Sequence, residues 1–137
     1  MVGQTMKIQK IKTLFGQGRY REALQTIEEL AGEQEFVGLC YKILILCLRG
    51  EIREAIPLLD HLEQLGSSLK DKNAQFAVLA LKTCLCSYQG KEEEMYQSFN
   101  EGQELLNSLK VHERKQIKEW ESWLHYGIAN FYMNNML

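Results

Sequence analysis

The segments GRYREAL (Gly18–Leu24) and GEIREAI (Gly50–Ile56) are closely similar and lie 32 residues apart. A looser third copy, GKEEEMY, begins at Gly90, 40 residues further along the chain. Each copy has a lysine eight residues before its glycine, an alanine or methionine five residues after it, and a larger apolar residue nine residues after it. The frame K-x7-G-x4-[AM]-x3-[ILF] therefore occurs three times, which is typical of a repeat protein.

The shared positions are those that a pair of short helices needs. A glycine at the end of the first helix takes the left-handed backbone conformation that other residues resist. The small residue, Ala23 or Ala55, lets the second helix approach the first closely. Such a pair buries its apolar faces only by stacking on further pairs. A fourth copy is expected to open at Trp123, with Asn134 at the position of the next glycine.

Apolar residues follow a helical period along most of the chain, as in Ala23, Leu24, Ile27 and Leu30, and no stretch alternates as a strand would. We predict seven helices, over residues 4–17, 20–32, 35–49, 51–66, 70–89, 91–109 and 112–135. Pro57 predicts either a kink in the fourth helix or a late start of it. The whole chain, residues 1–137, is expected to form a single domain.

The repeated segments resemble the tetratricopeptide (TPR) family, whose pattern is W-x2-L-G-x2-Y, then A-x3-F, then P. GRYREAL and GEIREAI look like that family's turn and second-helix opening, and Trp123, Tyr126 and Gly127 look like its W-x2-L-G opening. The resemblance implies an all-α, right-handed solenoid of antiparallel helix pairs, with about three longer TPR-like repeats and a C-terminal helix. The first-helix glycine slot departs from the family pattern and holds Ile11, Ile43 and Thr83.

The resemblance also implies a binding surface, since the first helix of each TPR pair lines a concave groove. The positions carried over are mostly apolar here, so a clamp for a terminal carboxylate is not expected. An apolar or amphipathic helix of a partner protein fits such a groove better. The alternative is that many of these side chains are core. The predicted partner-binding residues are Phe15, Leu44, Leu48, Tyr88, Leu124, Ile128, Phe131 and Tyr132.

The lysines of the repeat, Lys10, Lys42 and Lys82, recur in register and should form a column along the stack. One interpretation is that their aliphatic stems pack between helices while the ammonium groups reach water. The other is a row of cations that meets an acidic partner. A second basic stretch, from Lys110 to Lys118, also has two interpretations. It is either a solvated helix face or a phosphate-binding patch.

The C-terminal helix is unusually rich in aromatic and aliphatic residues for the end of a solenoid, which normally has a polar outer face. Three explanations fit this pattern: self-association, a cut edge of a longer repeat array, or a cap docked on the rest of the chain. Self-association would make the protein a homodimer. The predicted self-association residues are Trp120, Trp123 and Met133.

Composition narrows the remaining classes of function. A net charge of −2 gives no bulk attraction to nucleic acid or to an anionic membrane, and no apolar run is long enough to span a bilayer. The histidines are scattered, with no metal-binding spacing, so we expect no enzyme activity, no metal and no cofactor. Four cysteines without a C-x-x-C pair suit the reducing cytoplasm: Cys40, Cys47, Cys84 and Cys86.

These observations together favour a cytoplasmic protein–protein interaction scaffold or adaptor. The alternative function is a peptide or small-molecule sensor domain of a larger regulator, since longer-repeat arrays often serve that purpose.

Overall fold

The computed structural model describes residues 2–32 and 34–135, and every regular element in this part of the chain is an α-helix. The all-α prediction is therefore confirmed for the described residues. The eight helices are α1 (Val2–Gly16), α2 (Tyr20–Ile27), α3 (Gln34–Leu48), α4 (Ile52–Leu69), α5 (Lys72–Gln89), α6 (Glu92–Ser108), α7 (Val111–Gln116) and α8 (Lys118–Asn135). None of these described helices is both long and apolar enough to cross a lipid bilayer.

The prediction of one helix over residues 112–135 was wrong, because the chain turns at Ile117 between α7 and α8. Ile117 leaves helical geometry, with φ −106° and ψ 13°. Its side chain is only 1% exposed and belongs to a core cluster that contains Phe76 and Leu124. Helix α7 itself buries no residue. The turn therefore carries one apolar side chain into the core while its polar neighbours stay in water.

Glycine ends the first helix of each pair, as predicted. Gly18, Gly50 and Gly90 have φ values of 74°, 78° and 73°, all in the left-handed region. Asn134 does not repeat this conformation, because α8 continues through Asn135 and Asn134 lies within it. The prediction of a fourth left-handed turn at that residue was therefore wrong.

Pro57 lies inside α4, which begins at Ile52, so a late start of that helix is excluded. The proline is the sixth residue of the helix, where its missing amide removes one backbone hydrogen bond near the first turn rather than at the centre.

Helices that are adjacent in sequence pack against each other: α1 on α2, α3 on α4 and α5 on α6. Helix α3 also contacts α1 and α2, and α5 also contacts α3 and α4, so the three pairs share their core. The predicted close-packing positions, Ala23 and Ala55, are 0% exposed, as is Met95 in the third copy. This burial agrees with the role that the repeat frame assigns to them.

Candidate functional site

Helix α8 lies along α5 and runs in the same direction. Trp120 lines one cavity together with Ala77 near the start of α5, whereas Asn130 donates to Ser87 Oγ near its end, at 3.1 Å. Between them the two backbones come unusually close. A Cβ built on Gly127 would lie 2.9 Å from Thr83 Cγ2 and 3.1 Å from the backbone of Thr83. Glycine is favoured at this crossing because a Cβ would meet the neighbouring helix.

Two tryptophans extend the contact of α8 beyond α5. The Trp120 ring centroid lies 5.5 Å from that of Tyr41 in α3, and the Trp123 centroid lies 5.8 Å from that of Phe15 in α1. Phe15 and Tyr41 are themselves in edge contact at 5.5 Å. Such tilted and edge-to-face pairs are favourable arrangements of aromatic rings. The N-terminal half of α8 therefore covers side chains from three different helices.

We call the surface that α8 covers the inner face. It consists of side chains from the first helix of each pair. They are Phe15 of α1, Tyr41 of α3, and Thr83, Cys84, Ser87 and Tyr88 of α5.

Hydrogen bonds across the inner face accompany the apolar contacts. Tyr41 Oη donates to Glu119 Oε1 at 2.6 Å, linking residues 78 positions apart in the chain. The hydroxyls of Tyr88 and Tyr126 are 2.7 Å apart, and Cys84 Sγ donates to the carbonyl of Trp123 at 3.1 Å. Each buried polar group on this surface thus has a partner, and the bonds fix the register of α8 on α5.

The titratable groups of the inner face stay protonated at neutral pH. Burial raises the pKa of Tyr41 above its ordinary value, and the hydrogen bond to Glu119 raises it further. Burial and the hydrogen bond to Tyr126 likewise raise the pKa of Tyr88. Burial also raises the pKa of the Cys84 thiol. These groups are neutral hydrogen-bonding side chains rather than nucleophiles, because a nucleophilic cysteine needs a lowered pKa.

All four cysteines are free and buried, as expected for small core side chains. Burial raises the pKa of Cys47 to about 12. Among residues 2–32 and 34–135, no three histidine, cysteine or acidic side chains lie together as metal ligands would.

The predicted partner-binding residues separate into two groups. Leu44 and Leu124 are 1% and 0% exposed, and Phe131 is 7% exposed, so all three belong to the core and cannot contact a partner in this conformation. Each of the three packs in a core cluster with side chains of neighbouring helices, a fact that the sequence pattern does not reveal. The others remain at least partly accessible: Phe15, Leu48, Tyr88, Ile128 and Tyr132.

The predicted self-association residues also differ from one another. Trp120 and Trp123 are half-buried and packed against aromatic rings of the same chain, whereas Met133 is 69% exposed. Of the three explanations for the apolar C-terminal helix, a docked cap describes the part that carries the tryptophans. The exposed large apolar side chains of α8 are confined to its last turn. They are Met133 and Tyr132, and the latter is 49% exposed.

Two of the three lysines of the column, Lys42 and Lys82, lie near carboxylates of the same chain, and Lys10 is exposed. Lys42 Nζ lies 3.2 Å from Glu28 Oε1, and the lysine side chain is 31% exposed. Lys82 lines a surface cavity together with Glu63 and Glu101. This arrangement favours the interpretation in which the stems pack between helices and the ammonium groups stay at the surface.

Sequence reasoning missed two features of this region. One is the bond between Tyr41 and Glu119, for which the sequence offers no signal because neither residue type is unusual in a helix. The other is the approach of α7 to the start of α5, where Asn73 Nδ2 donates to Gln116 Oε1 at 2.9 Å.

Comparisons with protein-family models, with curated proteins and with solved structures found no match.

Proposed function

We propose that this chain is a protein-interaction module of the TPR kind, and that its inner face receives an amphipathic, aromatic-rich helix. Three helix pairs closed by left-handed glycines, each packed on the next, support a right-handed solenoid of antiparallel helix pairs. In that arrangement α8 occupies the place of the first helix of a fourth pair. The buried free thiols suit a reducing compartment, so cytoplasmic location is part of the proposal.

One observation carries the proposal: the inner face already holds such a helix, α8. Its contacts come from Trp120, Trp123, Tyr126 and Asn130, which follow the three- to four-residue spacing of one helix face. A partner helix with the same spacing of aromatic and polar side chains can make the same contacts. Recognition of an amphipathic helix in a groove commonly uses this spacing.

Because α8 is part of the same chain, it competes with any partner at an effective concentration on the order of millimolar. A partner helix therefore binds more weakly to the intact protein than to one in which α8 is loosened, since only the open fraction is competent to bind.

The test uses a fluorescein-labelled peptide of residues 118–135 and the full-length protein carrying Trp120→Ala and Trp123→Ala. We expect the variant to bind the peptide at least about tenfold more tightly than the wild type, measured by fluorescence anisotropy, because its own α8 is held less firmly. Circular dichroism would verify that the variant remains helical.

Two controls make the result specific. A peptide in which both tryptophans are alanine should not bind, and adding Phe15→Ala to the protein variant should weaken binding of the native peptide. Equal affinity of the native peptide for the wild type and the variant, or full binding of the alanine peptide, would show that the inner face is not a helix-binding surface.

A further inference from the structure

The hydroxyl of Tyr41 restricts which helix can lie on the inner face. Tyr41 is 0% exposed, and its ring is in tilted contact with that of Trp120. Its hydroxyl donates to Glu119 Oε1 at 2.6 Å, a distance typical of a hydroxyl that donates to a carboxylate. Burial and this carboxylate both raise the pKa of Tyr41, so the hydroxyl stays protonated and remains a donor. A helix that covered Tyr41 without offering an acceptor would leave the hydroxyl buried and unpaired, which is costly.

The acceptor has to stand at one position of the helix. The sequence of α8 contains two acidic residues, Glu119 and Glu121. Glu121 lies against α7, where it pairs with Arg114 at 3.3 Å. Only Glu119 meets Tyr41, so a carboxylate two residues further along the helix does not replace it.

The crossing of α8 and α5 imposes a second restriction. A Cβ built on Gly127 would lie 3.1 Å from two backbone atoms of α5, Cys84 N and the carbonyl carbon of Thr83. In the same stretch Cys84 Sγ donates to the carbonyl of Trp123 at 3.1 Å, so α8 contacts α5 here through its own backbone. A helix with a larger residue in place of Gly127 has to stand further from α5, and it loses these contacts.

The two restrictions together fix one register. Glu119 and Gly127 are eight residues apart, about 12 Å along a helix, and they meet different helices of the inner face. A shift of α8 by four residues would carry the carboxylate away from Tyr41. The same shift would bring Trp123 or Phe131 to the crossing with α5, where even a Cβ is too close.

We propose that the inner face selects its partner by these two positions, and that the partner is a helix with the pattern E-W-x2-W-x3-G. Tyr41 selects the carboxylate, and the backbone of α5 at Thr83 and Cys84 selects the glycine. A helix that has only the aromatic spacing is rejected twice, because it leaves a buried hydroxyl unpaired and clashes at the crossing. The inference rests on the proposed function and narrows it, since it names which amphipathic helices the inner face accepts.

The test uses the full-length protein carrying Trp120→Ala and Trp123→Ala, with fluorescein-labelled peptides of residues 118–135. The peptides are the native one and single variants with Glu119→Ala or Gly127→Ala. We expect each variant peptide to bind about tenfold more weakly than the native peptide, measured by fluorescence anisotropy. For Gly127→Ala the loss would occur although alanine favours the helical conformation of the peptide, so a change in helicity does not explain it.

Two further peptides are matched controls. Glu121→Ala removes the same charge as Glu119→Ala, and it should change the affinity by at most about threefold because a partly exposed ion pair contributes little. Ser122→Ala introduces the same residue as Gly127→Ala at an exposed position of α8, and it should bind as the native peptide does.

Adding Tyr41→Phe to the protein tests the carboxylate directly. Phenylalanine has no hydroxyl to leave unpaired, so the native and Glu119→Ala peptides should bind this protein with about equal affinity. The tenfold loss for the Gly127→Ala peptide should remain, because the crossing lies on α5. Comparing peptides on one protein cancels any loosening of its own α8 by the added substitution.

The outcomes separate this inference from the proposed function. If the native peptide does not bind at all, both are rejected. If it binds, and the Glu119→Ala or the Gly127→Ala peptide binds equally well, the inner face accepts any aromatic helix of this spacing. That result would overturn the inference and leave the proposed function standing. A tenfold loss for the Glu119→Ala peptide that persists on the Tyr41→Phe protein would also overturn it, since Tyr41 would not be the residue that selects the carboxylate.

Discussion

Replacing Gly127 by alanine should destabilise the protein, although the same change usually stabilises a helix. The added Cβ would lie 2.9 Å from Thr83 Cγ2 and 3.1 Å from both Cys84 N and the carbonyl carbon of Thr83. Two of these three atoms belong to the backbone of α5 and cannot rotate away. The Thr83 side chain is also held, because its hydroxyl donates to the carbonyl of Leu79 at 2.8 Å. The new methyl group therefore has to push α8 away from α5.

The size of the effect follows from two opposing contributions. Overpacking a close contact typically costs about 1–3 kcal/mol. Alanine instead of glycine within a helix contributes about 1 kcal/mol in the opposite direction. Because backbone atoms prevent local relaxation, we expect an overpacking cost of about 2–3 kcal/mol, in the upper part of that range, so the free energy of unfolding should fall by about 1–2 kcal/mol.

Two other glycines provide a graded comparison. Gly16 is the last residue of α1, and a Cβ built on it would have no neighbouring atom within 4 Å. Gly16→Ala should therefore be neutral or slightly stabilising. A Cβ on Gly66 would meet Val78 Cγ2 at 3.1 Å, and this side chain can rotate, so Gly66→Ala should have an intermediate effect. The order of stability expected is Gly16→Ala, then Gly66→Ala, then Gly127→Ala.

Urea unfolding of the three variants and the wild type, followed by far-ultraviolet circular dichroism, measures these differences. For a chain of this length, each kcal/mol corresponds to about 3–5 °C in Tm, which offers a second readout. A Gly127→Ala protein as stable as the wild type or more so would refute the close crossing of α5 and α8, and with it the coverage of the inner face by α8.

Two further predictions concern the same surface. Tyr41→Phe should lower the free energy of unfolding by about 1–2 kcal/mol, because the bond to Glu119 involves a carboxylate, and an unchanged urea midpoint would contradict that bond. Stability should also fall as pH rises above about 8.5, since the four thiols ionise there in the unfolded chain, whereas burial keeps their pKa raised in the folded one. Each thiol then contributes a loss of up to about 1.4 kcal/mol per pH unit. Urea unfolding at neutral and alkaline pH, in a reductant, measures this loss, and identical stability at both would contradict the burial of protonated thiols.

The sequence alone determined the local features of the fold. The repeated frame placed left-handed turns at Gly18, Gly50 and Gly90, and all three have positive φ. It also identified Ala23 and Ala55 as the positions of close packing, and both are fully buried. These features were predictable because a helix period, a glycine cap and a small contact residue depend on residues within one or two turns of each other.

Only the tertiary structure decided which surface α8 covers. A stripe of aromatic residues predicts that a helix face will be buried, but it does not say whether another copy, a partner or the same chain buries it. Here Trp123 packs on Phe15 of α1, more than a hundred residues earlier in the chain. The turn at Ile117 and the hydrogen bond from Asn73 to Gln116 of α7 likewise depend on contacts between distant segments. Such contacts are set by how whole helices fit together, and for this reason no local pattern contains them.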